Sequence, residues 1–97
     1  MLKEFHNHTR KVNAFVAIDD TRLASVSDDT KVIVWDSQAI APLKTLDAHQ
    51  GKVMAATRAK GAPVFYTASW DTSIKIWSCD KLECLRELKG YGVVFVW

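Results

Sequence analysis

A hydroxyl, an imidazole and a carboxylate recur together in this 97-residue chain. His8, Ser25 and Asp29 form one set and His49, Thr67 and Asp71 a second, with Trp35 or Trp77 six residues beyond each aspartate. Ser27 and Ser69 are alternatives for the hydroxyl. Ser, His and Asp are the material of nucleophilic catalysis, in which the imidazole takes the hydroxyl proton and the carboxylate orients the imidazole. That chemistry also needs an exposed hydroxyl, an oxyanion hole and a cleft. No Gly-x-Ser-x-Gly turn occurs, and Gly51, Gly61, Gly90 and Gly92 lie elsewhere. A set present twice suits a structural fastener better than an active site. A buried indole N–H needs an acceptor, a hydroxyl accepts and donates at once, and a carboxylate holds an imidazole in one tautomer. The expectation is therefore a chain without catalytic residues.

Metal and redox chemistry find little to work with. Cys79 and Cys84 flank Asp80-Lys81-Leu82-Glu83 and lack the paired Cys/His clusters of a zinc site. Two reduced thiols in a reducing, intracellular setting, cytoplasm or nucleus, are expected. His6 beside His8 reads as a surface histidine, and no metal or cofactor is implied. Thirteen Lys and Arg against eleven Asp and Glu give a net charge of +2, with the cations scattered from Lys3 to Lys89. Neither a nucleic-acid groove nor an anionic membrane surface is suggested. The longest purely apolar run, Val93–Trp97, falls far short of the roughly 20 residues that cross a bilayer. Met1–His6 has no apolar stretch of the kind that marks a secretory leader. With 48% hydrophobic and 25% charged residues the chain reads as one small globular domain.

The elements that must position these groups follow from an internal repeat. Ser25–Asp36 superimposes on Thr67–Ser78 with an offset of 42 residues. Ser27/Ser69, Asp29/Asp71, Thr30/Thr72 and Trp35/Trp77 are identical in that alignment. Upstream, His8 matches His49 and Val12 matches Val53 at an offset of 41, so one residue has been gained in between. Each copy reads as four strands: Lys11–Ala17, Arg22–Ser27, Lys31–Trp35 and Ala41–Leu46, then Lys52–Arg58, Pro63–Ser69, Ser73–Trp77 and Leu82–Leu88. Turn-forming residues separate the runs and no segment keeps a helical period. Lys81–Lys89 has a composition that would allow a helix, but its alignment with Pro42–Leu46 favours a strand.

The pattern resembles the WD-repeat (WD40) family across essentially the whole chain. Asn7-His8 and Ala48-His49 stand where that family has Gly-His, and Trp35-Asp36 and Trp77-Ser78 where it has Trp-Asp. The missing glycines and Ser78 depart from the signature. The resemblance implies an all-β fold, a segment of a β-propeller with two four-stranded antiparallel blades in an incomplete ring. Residues 1–6 would be an outer strand of a preceding blade, 8–48 the first repeat, 49–90 the second and 91–97 the start of a third. It further implies a hydrogen-bond chain from tryptophan to hydroxyl to histidine to aspartate, which in these positions is Trp35, Ser25, His8 and Asp29, and Trp77, Thr67, His49 and Asp71.

Function in such a fold resides on its rim as interaction surface, so a non-catalytic protein-interaction scaffold is expected. Trp70 occupies the place ahead of the turn aspartate where the first copy has Asp28. An exposed aromatic there would suit a partner-binding hot spot, with Asp28, Arg10 and Gln50 sharing the face. A recognition subunit for a modified peptide or nucleic acid is the alternative, which the small net charge does not favour. Val32 and Val34 would point to one face of their blade and Ile33 and Trp35 to the other. Both faces then need covering, by further blades of a longer parent chain or by self-association.

Overall fold

The structure, a computed structural model, describes residues 8–39 and 41–89. The strands expected at Leu2–His6 and Val93–Trp97 lie outside the described residues. Eight strands follow one another: β1 (Val12–Ala17), β2 (Arg22–Ser27), β3 (Val32–Asp36), β4 (Ala41–Leu46), β5 (Val53–Arg58), β6 (Val64–Ser69), β7 (Ser73–Ser78) and β8 (Cys84–Lys89). They form two four-stranded antiparallel meanders, β1-β2-β3-β4 and β5-β6-β7-β8. No helix occurs among the described residues. The ends differ from the sequence reading chiefly in the last hairpin. Leu82 sits in the turn with φ of 56° and donates its N–H to the Ser78 carbonyl, so β8 starts at Cys84.

The two sheets copy each other in detail. Both innermost strands carry a bulge near their start, at Asn13 between Val12 and Ala14 and at Met54 between Val53 and Ala55. Both β2–β3 and β6–β7 turns place a threonine at positive φ, Thr30 at 74° and Thr72 at 71°. A β-branched residue in that region is strained. An aspartate beside it compensates: Asp29 Oδ1 accepts the Lys31 N–H and Asp71 Oδ1 the Ser73 N–H, each at 2.9 Å.

The core is the interface between the sheets. Ala24, Val26, Val32, Val34 and Leu46 of the first sheet share one cluster with Val53, Phe65 and Trp77 of the second and with Cys79 just after β7. The Phe65 and Trp77 rings stack at 6.3 Å between centroids. Ile33 and Trp35 are also buried but stand outside that cluster, as the alternation of a strand requires. Arg58 clamps the interface from one end, with Nε donating to the Ile18 carbonyl at 2.6 Å and Nη1 to the Ala59 carbonyl at 2.7 Å.

Candidate functional site

The backbone turns bring each set of four polar residues to one end of its sheet. In the first, Trp35 Nε1 donates to Ser25 Oγ at 2.8 Å, Ser25 Oγ lies 2.6 Å from His8 Nε2, and His8 Nδ1 lies 2.8 Å from Asp29 Oδ2. In the second, Trp77 Nε1 donates to Thr67 Oγ1 at 2.9 Å, Thr67 Oγ1 lies 2.8 Å from His49 Nε2, and His49 Nδ1 lies 3.1 Å from Asp71 Oδ2. With the hydroxyl oxygen accepting from the indole, its proton goes to imidazole Nε2. Nδ1 then carries the ring proton and donates to the carboxylate. Ser27 and Ser69 serve the turns instead: Ser27 Oγ donates to the Lys11 carbonyl at 2.8 Å and accepts from Asp29 N–H, while Ser69 Oγ donates to the Gly51 carbonyl. The hydroxyls of Ser25 and Thr67 are fully buried and both bonded, so neither is presented to a substrate.

The electrostatics follow from these bonds. Burial works to raise the Asp71 carboxyl, but the Ser73 hydroxyl, the amides of Gln50 and Ser73 and the nearby His49 outweigh it and hold the group well below the usual carboxylate range. Asp29 is lowered in the same way against its burial by His8 and the amides of Lys31 and Thr9. Burial pushes the His49 imidazole below its ordinary value, and the attraction of Asp71 only partly offsets this. The second set has one extra member that sequence reading missed: Ser73 Oγ lies 3.0 Å from His49 Nδ1 and also bonds Asp71 Oδ1. The first sheet has Lys31 in that place, paired with Asp47.

On the rim, Trp70 is 66% exposed. Lys52 Nζ stands 4.8 Å from its ring centroid and 3.8 Å from Asp28 Oδ2, linking the two sheets' turns. Asp28 is half-buried, its Oδ1 accepting from Asn13 Nδ2 at 2.8 Å. Arg10 is exposed. Gln50 gives its backbone N–H to Asp71 Oδ2 at 3.0 Å and lines a polar notch with Asp71, Lys75, Glu87 and Lys89. Lys52, Asn13 and Met54 were not singled out in the sequence; for Asn13 and Met54 only the bulge, which re-aims a side chain, would have shown them. Among the described residues no group of three His, Cys, Asp or Glu could hold a metal ion, and no helix is long and apolar enough to cross a membrane.

A family profile described as "WD domain, G-beta repeat" matches residues 1–36 and 40–78. Human apoptotic protease-activating factor 1 is 36% identical over 85 residues, covering 88% of this chain and 7% of that protein. The pre-mRNA-splicing factor cwf17 of Schizosaccharomyces pombe is 32% identical over 92 residues, covering 93% of this chain and 27% of that protein. The chain thus spans less than a third of either relative. The solved structure of U3-55K matches with a TM-score of 0.79 at 24% identity, over 88% of this chain and 26% of that one.

Proposed function

The chain belongs to the WD-repeat (WD40) family, and from that footing we propose that it acts as a non-catalytic scaffold that binds proteins through the rim carrying Trp70. One observation carries the reading. Every buried polar side chain of the two sets is bonded within its own repeat, while the large apolar Trp70 is left in solvent. Exposed aromatics of this kind concentrate binding energy. The repetition of the His–Ser/Thr–Asp chain in both sheets supports a fastening role for it, and so an absence of catalysis.

The scaffold is completed by further sheets of the same kind. Leu46 of β4 is 6% exposed where the second sheet covers it, whereas Leu88, its counterpart on β8, is 44% exposed. Val32 and Val34 are buried and their counterparts Ile74 and Ile76 only partly so. The open face is apolar and matches the face that the first sheet offers to a Trp-bearing neighbour. An intracellular location fits the two free thiols, Cys79 buried and Cys84 exposed.

The test replaces Trp70 by Asp, the residue of the first copy, in the full-length protein, and quantifies co-purifying partners. Loss of one or more partners with an unchanged melting temperature is expected. Retention of every partner would falsify the rim assignment.

A further inference from the structure

The two sheets differ in chemistry at two linked pairs of equivalent positions. In the first sheet, the bulge residue and the residue ahead of the turn aspartate are both polar: Asn13 Nδ2 donates to Asp28 Oδ1 and to the Val53 carbonyl, each at 2.8 Å. In the second, the same places hold Met54 and Trp70, 38% and 66% exposed. The bulge falls at the same step in both, so backbone geometry is common to them and the exchange changes only what the rim presents. A methionine is adaptable and a tryptophan rigid, a combination suited to an apolar side chain arriving from outside.

Charge narrows the choice of occupant. The acids of this rim are engaged: Asp29 and Asp71 by histidine and backbone amides, Asp28 by Asn13 and Lys52, and Asp47 by Lys31. Lys52 lies over the Trp70 ring with part of its side chain in solvent. Arg10 and Lys11 accept backbone bonds from Ser27 Oγ and the Asp28 N–H beside it. Both are exposed, and neither has an acidic partner among the described residues. Surplus charge next to the apolar pair is therefore positive.

We propose that Met54 and Trp70, with the unpaired Lys11 and Arg10 on the same rim, take a peptide segment of a partner protein in which an apolar side chain is flanked by Asp or Glu. This rests on the scaffold reading and names its ligand chemistry. The apolar side chain covers the Met–Trp pair, the carboxylates meet the cations, and a basic segment is turned away by like charge.

Selection of a randomised peptide display library on the immobilised full-length protein, followed by fluorescence anisotropy with the selected peptide, tests it. Enrichment of an apolar residue with Asp or Glu within a few positions is expected. Binding should weaken about tenfold or more in Trp70→Asp and in Met54→Asn. Each substitution installs a residue that the first sheet already hosts at that place, so folding is kept, which an unchanged circular dichroism melt checks. Arg10→Gln should weaken binding less, and added salt should weaken it in the wild type. Equal binding of basic or uncharged apolar peptides, still lost in Trp70→Asp, overturns the ligand chemistry and leaves the rim as a docking face. No enrichment, or binding indifferent to Trp70→Asp, overturns both. A Trp70-dependent change in oligomeric state without peptide binding would make a second copy the occupant and also defeats the proposal.

Discussion

Each hydrogen-bond chain has a direction, and that direction makes it sensitive to single atoms. Ser25→Ala removes the acceptor of the Trp35 indole and the donor to His8 Nε2. Buried groups left unpaired cost about 1–3 kcal/mol, so the melting temperature should fall by roughly 5–15 °C for a domain of this size. A Ser25→Ala protein melting within a degree of wild type would contradict the fastening role. Acid acts on the same bonds. His49 has a folded pKa below its unfolded value of about 6.5. The unfolded chain therefore binds the extra proton, and stability is lost as pH falls below about 6.5. Asp29 and Asp71 are depressed as well, and their contribution goes as pH falls through about 4 and below. Melting temperature followed against pH should show two descending steps, and His49→Gln should flatten the upper one. A wild-type profile level from pH 7 to 5 would exclude this linkage. Why the indole meets Ser25 rather than Ser27 is a matter of distance along the strand, since both serines lie on the same face of the pleat. Trp35 pairs with Leu23, and Ser25 is the next residue on that face, a spacing readable in sequence. Ser73 was not readable, because its counterpart is Lys31 and nothing in the repeat marks it.

At the scale of strands and turns, the sequence resolved most of the fold because the alternation and the turn residues agree. The eight strands were legible to within a residue or two. The last hairpin was not, since Leu82 adopts positive φ without a glycine or asparagine to announce it. The inter-sheet clamp was hidden too: Arg58 corresponds to Ala17, so the repeat gave no hint of it. Arg58→Met should keep the aliphatic stem and lose the bonds to the carbonyls of Ile18, Ala59 and Ala62. About 2 kcal/mol of stability is at stake, measurable as a lower urea midpoint. An unchanged midpoint would show that water replaces the clamp. Turn geometry gives a prediction of opposite sign. Thr72 sits at φ 71°, where asparagine is tolerated better. Thr72→Asn should raise the melting temperature by a few degrees, and a drop would mean the threonine side chain has a role of its own. Gly51 is needed for a different reason, since a Cβ there would stand 2.9 Å from the Asp71 backbone nitrogen. Gly51→Ala should therefore destabilise the turn that presents Trp70.

For the molecule as a whole, the decisive asymmetry is between two copies of one face. The first sheet's Ala/Val face is closed by Phe65 and Trp77, while the second sheet's Ile74, Ile76 and Leu88 have no such cover among the described residues. Sheets of this kind keep dry by stacking, so on the proposed reading these repeats depend on neighbours for full stability. The chain spans 7% and 27% of the two relatives. Sedimentation velocity of the 97-residue chain over a hundredfold concentration range addresses the claim most directly, with Leu88→Lys as the control. The expected result is concentration-dependent association that Leu88→Lys reduces. A wild-type chain that sediments as a compact monomer at every concentration would contradict it.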